Sequence, residues 1–281
     1  MKQGSEDLGI PRFNIIRFFA GISFGIIIIL SVLLLDKLGF FFICAVLIVI
    51  SVYELFFIYD LNDPGHFVFP AVLSVITAYV YVFFGDSLLI LVFFISIFLI
   101  FLKGILFFDK KSGLSFLIGT FAIIYAGFFL SFLLKIFDLP DGRLFLLLLF
   151  ALVWTSDIFA YYGGRHFGRH KLYESLSPKK TVEGALFGFI FAIFTALIFR
   201  AAVFEHNKLN ILRYVFICAV TIIAGIIGDL AESLIKRSGG KKDSGHLIPG
   251  HGGILDRIDS LILAAPSFYF LLLFVLQKKI I

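Results

Sequence analysis

Between Ser233 and Ser260 the chain reads SLIKRSGGKKDSGHLIPGHGGILDRIDS, which gathers five Lys/Arg, three Asp, two His and six Gly into one polar stretch. Lys236, Arg237, Lys241, Lys242 and Arg257 suit a ligand with several negative oxygens, and glycines such as Gly252 and Gly253 let backbone N–H groups approach an anion without a Cβ in the way. Asp243, Asp256 and Asp259 bring the opposite charge. Acids interleaved with bases do little for an anion alone. They fit a polyphosphate that arrives with a divalent cation bridging it to carboxylates. His246 and His251 lack an HExxH helix or a third nitrogen or sulfur ligand, so hydrogen bonding to phosphate is expected of them rather than zinc binding.

The flanking elements must position these groups. Upstream, GDLAESLIKR places Asp229, Glu232, Ser233 and Lys236 at i, i+3, i+4 and i+7, one face of a helix that runs on into the glycine-rich loop. Downstream, Asp256 and Asp259 stand where the next helix begins. There they serve as N-cap and first-turn acids, and two carboxylates one turn apart facing Asp229 would also make an oxygen-rich pocket for Mg²⁺. Asp229, Asp256 and Asp259 are therefore the expected metal ligands, with Asp243 a further acid beside them. A second basic loop follows Asp157, a carboxylate too costly to face lipid and so expected to face a polar cavity or a partner. It holds Arg165, Arg169, Lys171, Lys179 and Lys180, with Ser177 and Pro178 expected to open a turn. A positive-inside bias accounts for such a loop as well.

The rest of the chain is oily: 60% hydrophobic, 15% charged, with a mean hydropathy of +1.06. That composition excludes a soluble domain and predicts an all-α integral membrane bundle. About nine spans are expected, centred near residues 27, 49, 75, 95, 124, 152, 194, 222 and 268, the third and fourth meeting at Gly85 and Asp86 as a tight hairpin or a re-entrant pair. With nine spans, Lys37, Lys135, Arg143, Arg200, Lys208, Arg213, Lys278 and Lys279 fall on one side and the remaining 16 of 24 Lys/Arg on the other. The N-terminus and both basic loops are then cytoplasmic, in a cell (inner or plasma) membrane. The first apolar run lacks a small-residue cleavage site and is expected to be a retained anchor. Cys44 and Cys218 lie in apolar runs without CxxC spacing, which suggests neither a disulfide nor a zinc ribbon. The chain divides into residues 1–112, spans with short turns and a single intramembrane acid, Glu54, read as structural, and residues 113–281, which carry the chemistry.

The run Ser233, Lys236-Arg237, Lys242-Asp243, Pro249, His251-Gly252-Gly253 and Asp256-Arg257-x-Asp259 resembles the signature of the phosphatidate cytidylyltransferases, the CDP-diacylglycerol synthases, without gap or substitution. Asp157, the GGRxFG run from Gly163 to Gly168 and Ser177 to Thr181 are similar to that family too. Val182 stands where the family commonly has Trp. The resemblance implies transfer of CMP from CTP to phosphatidic acid with release of pyrophosphate, with Mg²⁺ as cofactor and a second ion such as K⁺ as a further candidate, in a homodimer in the lipid bilayer with no nucleic-acid partner. On that reading Lys236, Arg237, Lys241 and Lys242, with the N–H groups of Gly252 and Gly253, hold the triphosphate, and Ser177, Lys179 and Lys180 clamp nucleotide or lipid phosphate. A CTP-dependent polyprenol or phytol kinase is the nearer alternative. An ion-coupled transporter using Glu54, Asp157 and Asp229 is the alternative from another class.

Overall fold

Asp36, Asp63 and Asn210 each open a helix by the same local device, a side-chain oxygen accepting a backbone N–H of the first turn: Gly39 at 2.8 Å, Gly65 at 2.7 Å and Leu212 at 2.8 Å. Pro64 adds a fixed φ at the first position of its helix. The computed structural model describes residues 15–203, 210–247 and 252–277. Its elements are α1 (Ile15–Leu34), α2 (Lys37–Ile58), α3 (Pro64–Phe84), α4 (Leu89–Leu106), α5 (Ser112–Ala122), α6 (Phe129–Phe137), α7 (Gly142–Phe167), β1 (Lys171–Tyr173), β2 (Ser177–Thr181), α8 (Val182–Val203), α9 (Ile211–Ser238) and α10 (Leu255–Gln277). A π turn over Ile123–Phe128 joins α5 to α6 into one span.

Among the described residues eight helical segments are long and apolar enough to cross a bilayer, and α1 adds a ninth apolar helix where one is expected. The protein is an all-α polytopic membrane protein. Gly85, at φ 80°, ends α3, and a single 3-10 turn over Asp86–Leu88 leads into α4, so the third and fourth spans form a tight hairpin.

Contacts between loops show how the spans alternate. At one end Lys241 Nζ meets Asp60 Oδ1 at 2.7 Å, Lys111 Nζ donates to the Asp60 carbonyl at 3.1 Å, and Arg237 Nε donates to the Leu176 carbonyl at 3.3 Å. These tie together the loops after α2, α4, α7 and α9. At the other end Lys37 pairs with Asp138 at 2.5 Å and Lys135 with Asp86 at 3.3 Å, while Arg143 donates to the carbonyl of Leu35 at 2.9 Å. Both basic loops therefore lie at the same end of the bundle.

Lipid gives helices little hydrophobic reason to associate, so close packing has to hold them. α7 and α8 meet over small residues: a Cβ at Gly184 would lie 2.7 Å from the Ala160 carbonyl, and one at Gly188 would run into that of Ser156. α9 and α10 pack together as well, and a Cβ at Gly228 would sit 2.7 Å from the carbonyl of Asp259. That last approach matters for the chemistry. It sets the final turns of α9 against the first turns of α10. Cys44 and Cys218 are buried free thiols.

Candidate active site

Three carboxylates converge where α9 and α10 touch. Asp229, Glu232 and Asp259 each offer an oxygen, and these lie within 4.8 Å of one another. Helical spacing puts Asp229 and Glu232 on one face of α9, and the Gly228 contact brings Asp259 of α10 to it. Two lysines balance the acids. Lys180, from β2, pairs with Asp229, and Lys236, two turns along α9, pairs with Glu232 and reaches Asp256 Oδ1 at 2.6 Å. Burial lowers the Lys180 ammonium below the ordinary lysine range, against the opposing pull of Asp259 and Asp157.

Beside this cluster lies a cavity of about 780 Å³ between α7, the β1–β2 hairpin, α8 and α9, lined by Asp157, Tyr161, Arg165, Lys179, Lys180 and Asp229 among others. Asp157 thus lines a cavity that it shares with Arg165, Lys179, Lys180 and Asp229. The hairpin itself differs from expectation: Ser177 and Pro178 begin strand β2, with Tyr173 opposite Ser177, and the turn falls just before them at Glu174–Leu176. Gly163 to Phe167 belong to α7 and not to the loop.

The glycine-rich loop is held by its own acid. Asp256 Oδ2 accepts the N–H of Ser244 at 3.0 Å and of Gly253 at 2.8 Å, and Ser244 Oγ lies 2.9 Å away. Asp256, expected as a third metal ligand, therefore stands outside the carboxylate trio, and Glu232 takes that place. Both Asp256 oxygens are committed, one to the loop and one to Lys236. The Gly253 N–H, expected on an anion, is committed as well. Gly252 has φ 82°, a conformation that strains any side chain, and a Cβ there would strike Asp256. Other residues expected on phosphate are partly occupied: Arg237 Nη1 donates to the Lys241 carbonyl at 3.2 Å, and Lys241 pairs with Asp60 and lies 5.0 Å from the centre of the Phe57 ring. The hydrogen bond and charge of Lys241 hold the Asp60 carboxyl below its usual range. His246 stands edge-on to Phe57, with ring centres 5.8 Å apart. Lys242, Asp243 and Arg257 are exposed, Ser233 is buried in α9, and His251 lies outside the described residues.

Two acids carry more than the spacing suggested. The i, i+3 spacing puts Glu232 on the Asp229 face, and it is this acid, not Asp256, whose oxygen joins those of Asp229 and Asp259. Glu54, fully buried in α2, accepts the N–H of Ile254 at 2.8 Å and of Leu255 at 2.7 Å. The signal was there in the cost of an intramembrane carboxylate. Tyr125, on the π turn, is buried within electrostatic range of Glu232 and Asp259, its hydroxyl without a hydrogen-bond partner among the described residues.

The trio suits a hard cation. All three ligands are carboxylate oxygens, and Glu232 is fully buried with an Oε1 that has no hydrogen-bond partner among the described residues.

The chain is similar to the phosphatidate cytidylyltransferase of Haemophilus influenzae, 47% identical over 142 residues that make up 49% of each chain. It is 39% identical over 153 residues to that of Thermotoga maritima (53% of this chain, 56% of the relative) and 38% over 157 to that of Bacillus subtilis (54% and 56%). The chain spans about half the length of these curated relatives. A model of the Cytidylyltransferase family matches residues 15–275, nearly the whole chain. The protein belongs to the Cytidylyltransferase family.

Proposed function

We propose that the protein transfers CMP from CTP to phosphatidic acid, forming CDP-diacylglycerol and pyrophosphate, at the cytoplasmic end of its bundle and as a homodimer. The observation that carries this reading is the interleaving of Lys180 and Lys236 with Asp229, Glu232 and Asp259 beside a cavity of about 780 Å³ walled by spanning helices. A lipid phosphate has to meet a nucleotide at such a boundary. The names of the curated relatives support the substrate pair.

A phosphate monoester oxygen is already ionised near neutral pH, so no strong base is needed to make the nucleophile. The barrier is repulsion between two anions. An oxygen of the lipid phosphate forms a bond to the α-phosphorus of CTP. The bond from that phosphorus to the bridging oxygen breaks, and pyrophosphate leaves with the electron pair. Lys180 and Lys236 would hold phosphate oxygens in line for that exchange, and the exposed Lys242 and Arg257 would meet the leaving group. Asp157 balances the charge of Lys180 in the cavity wall. Bound at Asp229, Glu232 and Asp259, Mg²⁺ would supply Lewis-acid polarisation and charge neutralisation.

Pyrophosphate release by the purified protein in mixed micelles tests the reading, with CTP, Mg²⁺ and phosphatidic acid each omitted in turn and K⁺ varied separately. Dependence on all three with a CDP-lipid product is expected. Transfer of the γ-phosphate of CTP to an added lipid alcohol, with CDP as the leaving group, would replace the transferase with a kinase, and absence of CTP turnover with either lipid would overturn both.

A further inference from the structure

Helix α10 carries Asp256 and Asp259, and two amides at its very start are satisfied from a distant part of the chain. The N–H groups of Ile254 and Leu255 are accepted by Glu54, 200 residues earlier in the chain, at 2.8 Å and 2.7 Å. The same carboxylate has Ser244 Oγ at 2.8 Å, and that hydroxyl lies 2.9 Å from Asp256 Oδ2. Glu54 is wholly shielded from solvent. A carboxylate in that position is costly unless several donors surround it, and the positive end of a helix dipole is a favourable place for it.

The glycines around it provide an independent observation. A Cβ at Gly253 would collide with both Glu54 Oε2 and Ser244 Oγ, and one at Gly245 would come within 2.9 Å of Glu54 Oε1. Two loop glycines are thus shaped around this acid. Gly253, the second of the His-Gly-Gly run, makes room for a carboxylate of the protein itself rather than for a ligand.

We propose that Glu54 is a positioning residue for the transfer reaction: it seats the start of α10 and the Gly252–Gly253 turn, and through Ser244 it orients Asp256, so that Asp259 meets Asp229 and Glu232. The inference rests on the transferase reading given above. It also assigns the first half of the chain a part in the chemistry, since α2 reaches the signature loop directly. Glutamine at this position accepts through one oxygen only and turns its amide donors toward other donors. Aspartate is one methylene too short.

The test compares the unmodified chain with Glu54→Gln, Glu54→Asp and Ser244→Ala in detergent micelles. Amide exchange is followed over residues 252–258, and pyrophosphate release is measured against CTP, phosphatidic acid and Mg²⁺. Faster exchange confined to that segment is expected. So is a fall in kcat of about 10- to 100-fold, as when a supporting partner of a metal ligand is lost. KM for both substrates should stay within about threefold and half-saturating Mg²⁺ should rise, because the substrates' own contacts are untouched and the trio is displaced. A general loss of stability would instead raise exchange throughout the bundle and leave the Mg²⁺ requirement unmoved. Unchanged exchange at 252–258, or wild-type kcat and Mg²⁺ requirement despite raised exchange, would overturn the proposal. If the Glu54 variants do not fold, Ser244→Ala decides between these outcomes, since it removes the hydroxyl between Glu54 and Asp256 while the Ser244 N–H on Asp256 and helix α2 stay intact. Failure of the wild-type protein to release pyrophosphate would sink the transferase reading. The exchange comparison would still show whether Glu54 seats the turn.

Discussion

Lys236 is the most committed side chain of the site, and its removal should show as lost stability as well as lost rate. It is 12% exposed and pairs with both Glu232, which is wholly buried, and Asp256, which is 9% exposed. Taking away one partner of a buried pair leaves the other charge uncompensated, at a cost of about 3 kcal/mol. Lys236→Ala is thus expected to lower the melting temperature in detergent. Lys236→Met combined with Glu232→Gln should recover the part of that stability lost through the uncompensated Glu232, while Asp256 stays without its lysine, and none of the activity; a double-mutant cycle on thermal unfolding checks this. Asp259→Asn is expected to act differently. It should cut pyrophosphate release by about 10²- to 10³-fold or more and leave the melting temperature close to wild type. An active Asp259→Asn enzyme would remove that residue from the metal site. Asp60 offers a contrast at the surface. Its folded carboxyl is lowered by Lys241, so whatever the pair contributes is present above the unfolded carboxyl range and lost only as pH falls through the lowered folded value. Between pH 6 and 8 Asp60→Asn should therefore change neither the pH profile nor the turnover number by more than about twofold.

Glycines decide how the helices meet, and they carry predictions of their own. At Gly188 a Cβ would press on the Ser156 carbonyl and on the Ala160 side chain, so Gly188→Ala should push α8 away from α7. Overpacking of this kind costs about 1–3 kcal/mol. Because α7 and α8 also wall the cavity, KM for the lipid should rise along with the loss in melting temperature. Much of this layer was legible beforehand: the spans are long, apolar and closed by Asp, Asn, Gly and Pro at their ends, all local signals. The β1–β2 hairpin was not. Its strands are three and five residues long, too short for a periodic pattern, and Ser177-Pro178 carries turn chemistry that the pairing of Tyr173 with Ser177 overrides.

The whole molecule has two ends, each knitted by its own ion pairs, and the excess of Lys and Arg at the site end predicts that this end faces the cytoplasm. The native cysteines make the prediction easy to check. Cys44 and Cys218 are 1% and 0% exposed, so an introduced cysteine reports against a silent background. Lys242→Cys should react with an impermeant maleimide in inverted vesicles and be protected in intact cells. Asp141→Cys, exposed at the opposite end, should do the reverse. The opposite pattern would place the site on the far side from cellular CTP.

Hydropathy and charge are properties of short windows of chain, which is why the spans, their alternation and the polar stretch from Ser233 to Ser260 could be read from residue order alone. Which acids share a pocket is a different kind of fact. Asp256 and Asp259 are one turn apart on the same helix, but Asp256 faces Ser244 and Lys236 while Asp259 faces Asp229. The rotation and depth of α10 decide between them, and these depend on the Gly228 contact and on Glu54 at the other end of the chain. Spacing along one helix fixes only relative directions. The absolute direction of each side chain is set by the neighbours that the helix packs against, and here the decisive neighbour lies 200 residues away.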